Sequence, residues 1–125
     1  MRGPARMWTL LAAISGFCGV AFGAFAAHGL TDPKMQEVMR IGSSYQLVHA
    51  LAALACVALA DKLPGAAKAP PAVFLIGTVL FSGSLYALAL GAPHVVGVIT
   101  PLGGLLFLIG WALLAWAALR PAQAA

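Results

Sequence analysis

The sequence predicts an all-α fold, an integral membrane four-helix bundle with its N- and C-termini on the cytoplasmic side. Three observations predict it. The 125 residues are 62% hydrophobic and only 8% charged, whereas a soluble domain carries about a quarter charged residues to cover its surface. The apolar residues fall in runs near the ~20 residues that a membrane-spanning helix needs. Lys and Arg sit singly at the ends of those runs, as interface anchors do, without the clustering or aromatic interleaving of a nucleic-acid surface. A soluble globular protein and a nucleic-acid binder are thereby excluded, and no room is left for a separate soluble catalytic domain. A single membrane domain is expected over 1–125, with spans at 8–30, 41–60, 72–91 and 100–119.

The first span runs from Trp8 to Leu30 without a charge and follows Arg2 and Arg6. Those arginines and Ala24-Phe25-Ala26 resemble the n-region and cleavage site of a signal peptide, but an apolar core of about 20 residues exceeds the usual 7–15. The run is read as an uncleaved helix. Next, Asp32-Pro33 can cap and start a short helix over Thr31 to Arg40. Met35, Val38 and Met39 share one face there and Gln36, Glu37 and Arg40 another, the pattern of an interfacial helix lying on the membrane. An ordinary polar connector is the competing reading.

The second span, Ile41 to Ala60, is closed by Asp61-Lys62. A linker holding Pro64, Lys68, Pro70 and Pro71 leads to the third, from Ala72 to Gly91. The fourth is expected to start at Thr100-Pro101, with Thr as N-cap and Pro in the first turn. It ends at Leu119, before Arg120-Pro121, and Gly91 to Ile99 becomes a short apolar loop. Four spans put Arg2, Arg6, Lys62, Lys68 and Arg120 on one side and only Lys34 and Arg40 on the other. The richer side is expected to be cytoplasmic.

Ser15, Gly19, Gly23 and Ala27 recur every fourth residue, the spacing that lets two helix backbones approach closely in lipid. A shorter stripe, Gly83, Ala87 and Gly91, repeats it in the third span. Helix two gathers Tyr45, Gln46, His49, Ala53, Cys56 and Ala60 on one face, and helix three gathers Thr78, Ser82 and Tyr86. Polar groups are costly in hydrocarbon, so both faces are expected to point inward. On a rise of 1.5 Å per residue His49 lies about 12 Å below the outer surface and Tyr86 about 7 Å, with His28 at the rim. His28, Gln46, His49, Ser82 and Tyr86 are therefore the expected lining of a ligand pocket in the outer leaflet. Interhelical hydrogen bonding is the plainer reading of the same residues. His94 reads as a solvated loop residue. Cys18 and Cys56 have no zinc or redox spacing and read as small buried hydrophobes.

Four blocks of sequence carry a resemblance. They are Gly23-Ala24-Phe25-Ala26-Ala27-His28-Gly29-Leu30, Tyr45-Gln46-Leu47-Val48-His49-Ala50, Phe81-Ser82-Gly83-Ser84-Leu85-Tyr86, and Thr100-Pro101-Leu102-Gly103-Gly104 with Gly110-Trp111. Together they resemble the domain-of-unknown-function 423 family of small multi-span membrane proteins, over nearly the whole chain and in the same order. Ala26 departs from the family pattern, which usually has Gly there, so close backbone contact at that position is in doubt. The resemblance implies the four-helix membrane fold and a place in the bacterial inner membrane. It brings no activity and no catalytic residue.

An enzyme would need an oriented base and nucleophile. His49 and Ser82 could nominally supply them, but no carboxylate lies within any span to orient the imidazole. No catalytic residue and no cofactor is expected, and no metal: His28 and His49 differ by roughly 10 Å in depth, too far to share a ligand easily. Transport is disfavoured too, because no span carries a glutamate and no paired broken helices appear. The expected function is non-enzymatic, either binding a lipid or small ligand or packing as a small subunit of a membrane complex. Permeation of a small solute or ion through an oligomer is the alternative. The partners expected are the lipid bilayer and a homo-oligomer or larger membrane complex.

Overall fold

The computed structural model describes residues 3–120. Arg2 and Pro121, named above as flanking residues, lie outside the described residues. Four long helices follow one another: α1 (Gly3–His28), α2 (Pro33–Leu59), α3 (Ala69–Ala89) and α4 (Ile99–Leu119). Short 3-10 turns at Pro64–Ala66 and His94–Val98 lead into α3 and α4. All four helices are long and apolar enough to cross a membrane.

The separate interfacial helix expected between helices 1 and 2 is instead the start of α2. Asp32 caps it as foreseen, its Oδ1 accepting from the Lys34 backbone N–H at 3.0 Å with Pro33 in the first turn. The Gln36 side chain donates to the Leu30 carbonyl at 2.6 Å and fixes the angle of entry. No proline or turn then separates Arg40 from Ile41, so the helix runs unbroken. Its 27 residues make about 40 Å at 1.5 Å per residue, more than the ~30 Å of hydrocarbon. The apolar face expected to rest on lipid turns into the protein: Met39 is fully buried with Ala26, Tyr86 and Ala89, and Met35 and Val38 pack against them. Glu37 and Arg40 pair at 3.5 Å on the exposed side.

The start of α4 also differs. Val98 already has helical angles, so Thr100 is not a cap. Its hydroxyl instead meets that of Ser84 on α3 at 2.5 Å. The segment expected as an apolar loop contains the 3-10 turn and Gly91, whose φ of 102° suits glycine.

Packing is sequential. α1 lies on α2, α2 on α3 and α3 on α4, with a light contact of α1 on α3, while among the described residues α1 and α4 form no packed interface. The bundle is therefore open rather than a closed ring, with α2 and α3 at its centre. Residues near both ends of the chain share one end of the molecule, since Pro4 and Ala5 line a cavity with Asp61 and Lys68, and Gly65 abuts Ala117.

Of the expected stripe in α1, Ser15 and Gly19 are buried, and at Gly23 an added Cβ would strike the Ser43 hydroxyl. Ala27 is exposed, and Ala26 is buried in its place. At about 100° per residue Ala27 has turned roughly 120° from Ser15, whereas Ala26 has turned only about 20°. The Gly83-Ala87-Gly91 stripe does not pack as expected, because Gly83 is exposed and faces open space. The α3–α4 interface uses other glycines: a Cβ on Gly103 would enter the Phe81 backbone, and one on Gly110 the Phe74 ring.

Candidate functional site

A polar seam crosses α1, α2 and α3. Tyr86 donates its hydroxyl to Gln46 Oε1 at 2.6 Å, and Gln46 Nε2 donates to Ser15 Oγ at 3.2 Å. Ser82 donates to the Gly42 carbonyl and Ser43 to the Gly19 carbonyl, each at 2.7 Å. These side chains are buried. Hydroxyls reach backbone carbonyls here because glycine on the neighbouring helix permits close approach, and in lipid such bonds are worth about 0.5–2 kcal/mol each. The Phe22 ring stacks on Tyr86 with centroids 3.9 Å apart.

Above this seam, α1 and α3 diverge into a groove of about 750 Å³, with Gln46 of α2 in its lining. It extends from Trp8 to Phe22 on α1 and from Ala72 to Tyr86 on α3. Either wall is roughly 21 Å long at 1.5 Å per residue. The cavity thus follows most of both helices, where a pocket confined to one half of the bundle was expected.

Gln46, Ser82 and Tyr86 meet in this groove; His49 and His28 do not. Gln46 and His49 are about 60° apart around α2, and α2 has neighbours on both sides. His49 therefore faces a second groove, of about 650 Å³, bounded by Tyr45 and Trp111. Its ring lies 3.6 Å from that of Phe107, nearly parallel to it. The Trp111 indole donates to His49 Nε2 at 3.1 Å, and His49 Nδ1 meets the Tyr45 carbonyl at 2.7 Å. An indole N–H can only donate, so Nε2 accepts and Nδ1 carries the hydrogen. Both ring nitrogens are engaged, and the lone pair a metal would take is occupied. His28 sits exposed at the end of α1, outside the groove lining.

Sequence reasoning missed Trp111, Phe107 and Trp8 as site residues. Trp111 and Phe107 fall on the same side of a helix as Gly103 and Gly110, and that spacing was the available signal.

The chain matches over residues 22–104 the family described as "Protein of unknown function (DUF423)". It belongs to this family. A UPF0382 membrane protein of Haemophilus influenzae is 47% identical over 88% of this chain and 91% of its own length. The UPF0382 membrane protein YwdK of Bacillus subtilis is 40% identical over 92% of this chain and 98% of its own. The UPF0382 inner membrane protein YgdD of Escherichia coli K12 is 43% identical over 92% and 91%. No solved structure matches the chain. Family membership and four apolar helices make this an integral membrane protein. The Ala26 methyl group is fully buried in a cluster with Met39 and Tyr86.

Proposed function

We propose that this family member is a non-enzymatic membrane protein that holds a lipid or similar amphiphile in the groove between α1 and α3. One observation carries the reading: an apolar trough of membrane dimensions runs over a buried amide. The walls exceed the ~15 Å of one leaflet's hydrocarbon, which suits an acyl chain. Gln46 gives one N–H to Ser15 and, as a primary amide, has a second. Ligand chemistry is favoured over catalysis because His49 and Ser82, the nominal base and nucleophile, belong to different grooves.

YgdD is named an inner membrane protein, and we place this chain there too. Both termini are cytoplasmic in this proposal, since Arg6, Lys62, Lys68 and Arg120 flank the helix ends on their side. The exposed apolar faces that include Phe17 on α1 and Leu108 on α4 serve lipid or a neighbouring subunit.

The test is photocrosslinking with a phospholipid carrying a mid-chain diazirine, incorporated in membranes and followed by extensive detergent washing. Label concentrated on Ile14, Cys18 and Val79 supports the groove. Label spread evenly over Phe17 and Leu108 as well contradicts it.

A further inference from the structure

At the end of the molecule where Pro4 and Ala5 lie, the groove adjoins a second cavity of about 1090 Å³, and Trp8 lines both. This cavity is built where the chain leaves α2. Lys62 and Leu63 bond back to the Leu59 carbonyl, the 3-10 turn follows, and Ala66 is fully buried in the core. Asp61 and Lys68 stand on either side of that turn and both line the cavity. They carry opposite charges yet do not pair, and neither has an ion-pair partner among the described residues.

A second observation comes from Trp8. Its indole Nε1 is buried and has no hydrogen-bond partner among the described residues. Buried indole N–H groups normally find an acceptor, and an orphan calls for an explanation. Here the orphan belongs to the residue shared by the apolar groove and the charged cavity, where the head group of a lipid would join its tails.

We propose that the cavity takes the phosphoethanolamine head group of an aminophospholipid. The phosphate meets Lys68 and the Trp8 N–H, the ammonium meets Asp61, and one acyl chain enters the α1/α3 groove. This rests on the groove reading above and names its ligand. The charges select the head group. A glycerol head would bring its phosphate beside Asp61 with no cation to offset that carboxylate. A choline head has the cation but no N–H, so it forgoes the charge-assisted hydrogen bond that an ammonium gives a carboxylate. A tryptophan at head-group level fits its usual place at a membrane interface.

The experiment offers the full-length protein in mild detergent an equimolar mixture of phosphatidylethanolamine, phosphatidylglycerol and phosphatidylcholine with identical acyl chains. Intact-complex mass spectrometry reads the adducts. The expected result is a several-fold enrichment of the ethanolamine lipid. Asp61→Asn brings ethanolamine and choline lipids to parity with total lipid unchanged, and Lys68→Gln lowers retention of all three lipids, since each carries the phosphate that Lys68 meets. Both residues are exposed, so the variants fold. Equal retention of the three lipids by the wild type, a preference for phosphatidylglycerol, or a preference unaltered in Asp61→Asn overturns the head-group assignment. The tail is tested separately with Gly83→Leu, which fills open space in the groove wall. Undiminished lipid in that variant with the ethanolamine preference intact overturns the groove and leaves the head-group cavity standing.

Discussion

Tyr86 on α3 donates a 2.6 Å hydrogen bond to Gln46 on α2, and Gln46 in turn holds Ser15 on α1. One phenol thus secures three helices, and it does so at the edge of the groove assigned to the ligand. Removing the hydroxyl leaves the Gln46 carbonyl oxygen without its donor. Tyr86→Phe is expected to destabilise the fold by about 1 kcal/mol, with Gln46→Leu similar. Combined, they should cost less than their sum, because a network member lost once cannot be lost again. Reversible unfolding of the single and double variants in detergent measures this, and strict additivity counts against the network.

Two glycines in neighbouring helices should respond in opposite ways. Gly103→Ala drives a methyl into the Phe81 backbone and is expected to cost about 1–3 kcal/mol, as overpacking does. Gly83→Ala meets open space and should stabilise the helix by roughly 0.5–1 kcal/mol. Thermal unfolding of the pair reads both effects, and a neutral Gly103→Ala would show that α3 and α4 do not approach as described.

His49 should hold the hydrogen on Nδ1 for as long as Trp111 donates to Nε2. Nitrogen NMR of the labelled imidazole is expected to report that single tautomer. In Trp111→Phe the Nε2 donor is gone and the tautomers should mix. An Nε2-protonated ring in the wild type would contradict the Trp111 contact.

Topology is open to reporter fusions. A reporter after Arg120 should be cytoplasmic and one between Thr31 and Arg40 should face the other side, given where the Lys and Arg residues lie. A C-terminus on the outer side reverses the orientation.

The sequence made the four helices legible because each apolar run is long and bounded by charge or proline, and it made the hydroxyl face of α3 legible because Thr78, Ser82 and Tyr86 keep helical spacing. Elsewhere local pattern and tertiary context diverge. Lys34, Glu37 and Arg40 disguise the first turns of α2 as a surface connector, although Met39 beneath them is fully buried. A four-residue repeat drifts around the helix, which is why Ser15 and Gly19 are buried while Ala27 is exposed. The local pattern around His49 leaves its side ambiguous. Its position on a polar face says that it points inward, but α2 is central and has two inward sides. Only the Trp111 donor and the Phe107 ring, both more than fifty residues away in sequence, decide between them.

The groove between α1 and α3 is the central claim, and lipid retained per chain tests it most directly. Wild type and Gly83→Leu would be washed in the same detergent and their bound phospholipid measured as phosphorus per protein, with helix content and melting temperature as controls for folding. The account predicts a phospholipid retained by the wild type and largely lost from a Gly83→Leu protein of equal stability. Equal retention by the two proteins would contradict it.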